Sequence, residues 1–137
     1  MPGSTLIPCL RYRNAKGAIS WLREAFGLEP QLVVPGEGDL ILHAQLRLGQ
    51  GMVMLGSATT DGEYAKLMKL PSEAGGNTQS IYFVVSDVDV VFARAVAAMA
   101  KVVLPLEAKD YGGKGFTCLD PEGNVWSIGD YDPWQDA

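Results

Sequence analysis

The sequence predicts an α+β fold in which two similar modules follow one another, each built from a strand, a helix and three further strands. The first observation is that this order of elements occurs twice along the chain. The second is a constant offset of 73 residues, which carries Asp87 onto Asn14 (87 − 14) and Gly129 onto Gly56 (129 − 56). The third is a β-hairpin near the end of the chain, in GFTCLDPEGNVWSIG. The shared order weighs more than the few identities, because chance supplies scattered matches.

The first module opens with a strand and a helix. Residues 6–12 alternate as a strand does, and Asn14 then offers a side-chain oxygen as the helix N-cap. Apolar residues recur at helical spacing as far as Gly27, and Pro30 lies just beyond it. We therefore predict a helix that ends at Gly27.

Short strands over 33–35, 40–48 and 52–55 complete this module. Alternation in the middle strand predicts an apolar face that covers the helix, formed by Leu42, Ala44, Leu46 and Leu48. The opposite, concave face then carries His43, Gln45 and Arg47.

A connector and the second module follow. Residues 57–79 are rich in turn-forming residues, with a possible short helix over 63–70 ended by Pro71. A connector of this length is usually functional or mobile. The strand over 81–85 leads to a helix for which Ser86 and Asp89 predict a capping box. A strand over 102–104 precedes the hairpin.

The hairpin joins strands over 116–119 and 125–128. Pro121 presets the backbone of the turn, and Gly123 can adopt the positive φ that such turns often need. We expect Asp120 to cap its own turn and Trp126 to lie in the core.

Composition limits the function. The chain has 137 residues, 47% of them hydrophobic and 20% charged, which fits one globular domain. A net charge of −5, with scattered Lys and Arg, argues against nucleic acid as a partner. No apolar run is long enough for a membrane span and no leader peptide is recognisable, so we expect a cytoplasmic protein with no membrane partner. Cys9 and Cys118 are expected to be buried free thiols.

The opening LIPCLRYRNAKGAISWLREAFGLEP and the close YGGKGFTCLDPEGNVWSIGDY resemble the vicinal oxygen chelate superfamily, which groups glyoxalase I, bleomycin-resistance proteins, extradiol dioxygenases and fosfomycin-resistance enzymes. The resemblance covers roughly residues 6–133 and is strongest in a non-metal subgroup ending in DPEGNVWSIG. It implies a single domain in which two βαβββ modules form a cup-shaped mixed sheet, commonly within a homodimer. The expected parts are modules over 6–56 and 80–131, the connector over 57–79 and a tail over 132–137.

In metal-dependent members, the resemblance implies four ligands, typically His, Glu or Gln, from the first and last strands of each module. Alignment places these positions at Ile7, Met54, Ser80 and Ser127. Alkyl groups and neutral hydroxyls are poor ligands for a divalent ion. The only histidine is His43. We therefore predict no metal and no other cofactor.

Alternation predicts which side chains line the cup. The candidates are Ile7, Cys9, Arg11, His43, Gln45, Arg47, Met52, Met54, Ser80, Tyr82 and Ser127. The polar members could instead form a solvated face or a dimer seam, and the methionines could be core filler. No catalytic residue is assigned, because neither cysteine has a neighbouring base and no nucleophile elbow is present.

Three functions remain open. The first is a metal-free homodimer that sequesters a small organic molecule, in which the negative charge favours cationic aromatic or amphipathic ligands. The second is a metal-dependent lyase, isomerase or dioxygenase in which His43 joins donors from another strand or subunit. The third is a non-catalytic interaction module that binds through the connector or the tail.

Overall fold

The computed structural model describes residues 3–135 of the chain. Its first half contains β1 (Cys9–Tyr12), α1 (Ala15–Phe26), β2 (Glu29–Pro35), β3 (Ile41–Leu48) and β4 (Gly51–Ser57). A 3₁₀ turn (Ala65–Leu67) and the short helix α2 (Pro71–Ala74) lie between the halves. The second half contains β5 (Ile81–Val84), α3 (Val88–Ala97), β6 (Lys101–Ala108), β7 (Lys114–Leu119) and β8 (Val125–Gly129).

Each half forms its own four-stranded mixed sheet. The strand orders are β1-β4-β3-β2 and β5-β8-β7-β6, with one parallel pair in each sheet, β1 with β4 and β5 with β8. The remaining neighbours are antiparallel. The predicted α+β fold with a strand, a helix and three strands in each half is confirmed.

The two halves also match in register. Cys9 pairs with Met54 and Tyr82 pairs with Ser127, and both pairs are related by the 73-residue offset (82 − 9, 127 − 54).

The helix caps obey the same offset. Asn14 Oδ1 accepts a hydrogen bond from Gly17 N at 3.0 Å, and Asp87 Oδ1 accepts one from Val90 N at 3.3 Å. The predicted capping box at Ser86 is wrong, because the next residue, Asp87, is the N-cap of α3.

The alternation predicted for β3 holds only from Ala44 onward. Leu42 is 66% exposed, whereas Ile41 is 4% exposed. The pairing of β2 with β3 shifts by one residue between Val34 and Pro35. The backbone N–H of Ile41 donates to the buried Ser57 hydroxyl at 2.8 Å. This irregularity turns Ile41 inward, and the placement of Leu42 over the helix was wrong.

The connector contains less helix than predicted. The 3₁₀ turn at Ala65–Leu67 replaces the helix expected over 63–70. Pro71 begins α2 instead of ending a helix, since proline at the first position gives up no hydrogen bond there. The first strand starts at Cys9, later than predicted; the segment before it is joined to β4 at Pro8, whose carbonyl oxygen accepts from Met54 N at 3.0 Å, but it has no paired residues of its own in the sheet.

One hydrophobic core joins the helices and both sheets. The ring of Phe26 on α1 lies 5.2 Å from those of both Phe83 and Trp126 in the second sheet, between centroids. Trp126 is buried as predicted. Cys118 is also buried, and burial raises the pKa of its thiol to about 11. Cys9 is exposed, which contradicts the prediction of two buried thiols, because it lies on the face of β1 away from the core.

The turn of the β7–β8 hairpin fastens the two halves together. Asp120 accepts hydrogen bonds from the N–H groups of Glu122 and Asn124, so it caps its own turn as predicted. Glu122 reaches the other half, where its carboxylate accepts from the backbone N–H groups of Arg13 and Asn14 at 2.6 and 2.8 Å. A carboxylate at this place also suits the positive end of α1.

None of the helices over residues 3–135 has both the length and the apolar character needed to cross a bilayer.

Candidate functional site

Two open cavities lie beside β1 on the side away from the core. Cavity 1, of about 600 Å³, is lined by β1, β3, β4 and connector residues 59 and 61–65. Cavity 2, of about 850 Å³, is lined by the segment leading into β1, by β5 and by connector residues from 64 onward. The residues that line both cavities are Cys9, Leu10, Arg11 and Tyr64. Cavity 2 therefore bridges the two halves of the chain, with the connector as its outer wall.

Arg11 separates the two cavities and holds the connector against β1. Its guanidinium donates to the carbonyl oxygen of Ser57 at 3.0 and 3.2 Å and to the Thr59 hydroxyl at 3.1 Å. Its Cζ atom lies 5.2 Å from the ring centroid of Tyr64, a cation–π distance. Most donors of Arg11 are thus already used by the protein itself.

His43 is half-buried and lines cavity 1. Its Nε2 atom lies 3.0 Å from the amide nitrogen of Gln45, whose carbonyl accepts from Gln31 at 3.0 Å. With the Gln45 amide nitrogen facing the ring, Nε2 is the acceptor, and this contact favours the tautomer whose proton is on Nδ1. Among the ring nitrogens, Nδ1 remains the donor available to a ligand.

Cavity 2 has a mainly apolar wall with a tyrosine on the side of the second sheet. Leu6 is 84% exposed and Leu67 is 80% exposed, and both line it. Tyr82 lies on the opposite wall, and its hydroxyl donates to the carbonyl oxygen of Tyr131 at 2.6 Å. The wall also carries polar and basic side chains, namely Arg11, Lys66, Lys69, Asn77, Thr78, Gln79, Ser80 and Asn124. Apolar contacts combined with polar groups are typical of small-molecule sites.

The predicted lining residues divide between the cavities and other places. Those that line a cavity are Ile7, Cys9, Arg11, His43, Met54, Ser80 and Tyr82. Those that line neither cavity are Gln45, Arg47, Met52 and Ser127.

These four side chains have neighbours of their own. Gln45 orients His43, and Arg47 pairs across the sheet with Met52. The hydroxyl of Ser127 lies 2.8 Å from that of Thr117.

Sequence reasoning missed the contribution of the connector. Tyr64, Leu67 and Met68 line the cavities, yet none was a candidate. Periodicity gives no signal in a segment without regular structure. The only indication was its length, which favoured a functional role.

The residues at the expected metal positions do not fit a divalent ion. These positions are Ile7, Met54, Ser80 and Ser127, and in the register of the strands Met54 pairs with Cys9 and Ser127 pairs with Tyr82. A thioether and neutral hydroxyls are poor ligands for such ions. Within residues 3–135, no group of three or more His, Cys, Asp or Glu side chains is arranged to hold one.

The cavities also contain no pairing of a nucleophile with a base among residues 3–135. The Cys9 thiol donates to the Ile7 carbonyl oxygen at 3.8 Å, and His43 contacts Gln45. A reactive thiol needs a neighbouring base or positive charge that lowers its pKa.

Paired modules with an open face on each sheet define a class of cup-shaped α+β proteins. The family model of the Glyoxalase/Bleomycin resistance protein/Dioxygenase superfamily matches residues 6–128, and the chain belongs to that superfamily.

Similar proteins cover most of the chain. An uncharacterized protein of Mycobacterium tuberculosis, Rv0887c, is 36% identical over 124 residues, which span 90% of this chain and 72% of the relative. The crystal structure of TioX from Micromonospora sp. ML1 has 34% sequence identity and a TM-score of 0.72, and the match covers 93% of this chain and 98% of TioX. The crystal structure of the lactoylglutathione lyase of Agrobacterium tumefaciens has 23% sequence identity and a TM-score of 0.65, and the match covers 99% of this chain and 100% of the lyase. At this identity the match shows a shared fold.

Proposed function

We propose that the protein is a metal-free homodimer in the cytoplasm that binds and sequesters a small organic molecule between its two halves. The observation that carries the proposal is cavity 2, an open volume of mixed apolar and polar lining that bridges the first and second sheets. Its volume lies in the range of ligand pockets. The two free cysteines are consistent with a reducing compartment.

The lining indicates the class of ligand. Leu6, Leu67 and Met68 offer apolar contact, and Tyr64 and Tyr82 offer ring faces. An amphipathic aromatic molecule can bury its apolar part against these side chains and leave its polar part in water. The net charge of −5 attracts cationic members of this class at long range, whereas the basic side chains in the wall of cavity 2, Arg11, Lys66 and Lys69, favour a ligand that also offers an acceptor or acidic group to them.

A second copy of the chain is the proposed partner. Exposed apolar side chains occur on the equivalent edge strands β2 and β6, including Leu32, Val33, Val103 and Leu104. Leu42 beside β2 is exposed as well. Exposed apolar patches mark interaction surfaces, and a second copy of the chain would bury these side chains.

The donor set supports binding without chemical transformation. The expected ligand positions hold no carboxylate or imidazole, and His43 bonds to Gln45. A metal-dependent lyase, isomerase or dioxygenase is a second candidate, because His43 and Cys9 line the same cavity and donors from a partner subunit could join them. An interaction module is less well supported, because the cavities are not filled by the protein's own side chains.

A thermal-shift screen with Tyr64 variants tests the binding proposal. Cationic, neutral and anionic aromatic compounds are added to the wild type, to Tyr64→Phe and to Tyr64→Ala. We expect some cationic compounds to raise the melting temperature of the wild type and Tyr64→Phe, and to have a smaller effect on Tyr64→Ala, which lacks the ring between the cavities. A panel in which no compound changes the melting temperature, or only anionic ones do, would count against the proposal.

A further inference from the structure

Two tyrosine rings meet outside both cavities, beyond the end of β8. The centroids of Tyr111 and Tyr131 lie 5.0 Å apart and their ring planes are inclined at 76°. Tyr111 is 59% exposed and Tyr131 is half-buried. Tyr82 is tied to the same place by its hydrogen bond to the Tyr131 carbonyl oxygen. Tyr82 also lines cavity 2, so the site considered below consists of Tyr111 and Tyr131 alone, which we call the Tyr111–Tyr131 corner.

Backbone contacts hold this corner together. Gly112 and Gly113 have φ angles of 119° and 68°, and a Cβ atom on Gly112 would lie 3.4 Å from the ring of Tyr131. A Cβ atom on Gly113 would collide with the Asp130 carboxylate. The two glycines therefore let the loop lie directly against residues 130–131, which positions Tyr111 beside Tyr131.

The surroundings of the corner are negatively charged. Asp110, Asp130 and Asp132 adjoin its tyrosines in the chain. Over residues 3–135, no ion pair joins any of these three carboxylates to a basic side chain.

The two lysines of the same loop are already paired with other acids. Lys109 lies 3.8 Å from Glu107, and Lys114 lies 2.8 Å from Asp89. Burial, followed by the nearby Tyr111 and Asp130, raises the pKa of Tyr82, as expected in a negative environment.

We propose that the Tyr111–Tyr131 corner is a binding site for an organic cation of the quaternary or tertiary ammonium class. The ring faces would attract the cation through their quadrupoles, and the surrounding carboxylates would add a longer-range attraction. The site goes beyond the proposed function, because Tyr111 and Tyr131 line neither cavity. A cation can occupy the corner whether or not the cavities bind a ligand.

The test compares choline with its neutral isostere, 3,3-dimethylbutan-1-ol, by NMR titration of the aromatic resonances. Choline is expected to shift the ring signals of Tyr111 and Tyr131 to saturation, and the neutral compound to leave them unchanged. Tyr111→Phe, which keeps the ring, should bind choline like the wild type. Tyr111→Ala should bind roughly three- to thirty-fold more weakly, as expected for the loss of one cation–π contact.

A second variant separates charge from packing. In Asp132→Asn, the side-chain oxygen can still accept the hydrogen bond from Trp134 N, which the aspartate accepts at 2.9 Å. We expect an unchanged melting temperature, weaker choline binding and a smaller dependence on salt. Equal shifts with both compounds, or wild-type affinity in both Tyr111→Ala and Asp132→Asn, would overturn the proposal. Because neutral aromatic ligands of the cavities do not need this corner, failure here is distinct from failure of the cavity proposal.

Discussion

The Tyr12 hydroxyl donates a hydrogen bond of 2.6 Å to the Asp120 carboxylate, which joins the first strand of one half to the hairpin turn of the other. Both side chains are buried. The same carboxylate oxygen also accepts from Trp126 Nε1 at 3.1 Å. The acidic turn DPEGN therefore fixes how the two halves of the chain meet, and so positions both walls of cavity 2.

Removing the Tyr12 hydroxyl should destabilise the protein measurably. Tyr12→Phe leaves the buried carboxylate short of one donor, and a hydrogen bond to a charged group contributes about 1.5–3 kcal/mol to the free energy of unfolding. Urea denaturation measures the change. Tyr82→Phe is the matched control, because its hydroxyl bond to Tyr131 is exposed and should contribute less than about 1 kcal/mol. Equal losses in the two variants would contradict this role of Asp120.

The helix caps provide a second prediction. Asn14→Ala and Asp87→Ala each remove a side-chain acceptor at a helix N-terminus and should lower the free energy of unfolding by about 1 kcal/mol. Ser86→Ala is the control and should be nearly neutral, because Asp87 is the cap. If Ser86→Ala were as destabilising as Asp87→Ala, the assignment of the cap would be wrong.

Stability should fall in alkaline solution. The folded pKa of Cys118 is raised from 9.0 to about 11, and burial also raises the pKa of Tyr12. A raised pKa means that the folded protein holds its proton more tightly than the unfolded chain. The contribution of the protonated Cys118 thiol to the free energy of unfolding is thus fully present below about pH 9 and is lost as the pH rises toward 11.

Chemical denaturation of Cys118→Ala between pH 8 and pH 11 checks this contribution. The variant lacks the thiol, so its free energy of unfolding should fall less between pH 8 and pH 11 than that of the wild type, by about 1–2 kcal/mol. Parallel curves for the two proteins would show that the Cys118 thiol does not contribute.

The contacts of Arg11 should restrict the mobility of the connector. Arg11→Lys cannot make both hydrogen bonds to the Ser57 carbonyl or present a planar group to Tyr64. We expect faster amide exchange over residues 58–65 and little change in the core. Arg47→Lys is the control, because Arg47 lines neither cavity. Unchanged exchange over this segment in Arg11→Lys would contradict the proposed restraint.

Residue types at helix ends and turns made much of the fold predictable. Asn14, Gly27 and Gly123 have the roles that their residue types favour, and the 73-residue offset anticipated the matched caps at Asn14 and Asp87. The errors at Leu42 and in the helix predicted before Pro71 have a common cause. Strand irregularities and connector conformation depend on tertiary contacts that periodicity does not report.

The candidate site was less predictable than the fold. Alternation along β1 placed Cys9 and Arg11 on the face away from the core, and this was right where the separate expectation of a buried Cys9 thiol was wrong. The sequence around Asp120 indicates a turn but does not indicate that its carboxylate bonds to the other half of the chain. Tyr64 lines the cavities because it contacts Arg11, which is 53 residues away in the chain (64 − 11), and a local sequence pattern does not report such a contact.

The central claim, that this member of the superfamily binds small molecules without a metal, is tested most directly by elemental analysis of untagged protein. The protein is equilibrated with nickel, manganese, iron or zinc and then dialysed. We predict that far less than one ion per subunit is retained, because the donor set at the expected positions is unsuitable. Retention of about one ion per subunit that is lost in His43→Ala would contradict the claim and indicate a metal site containing His43.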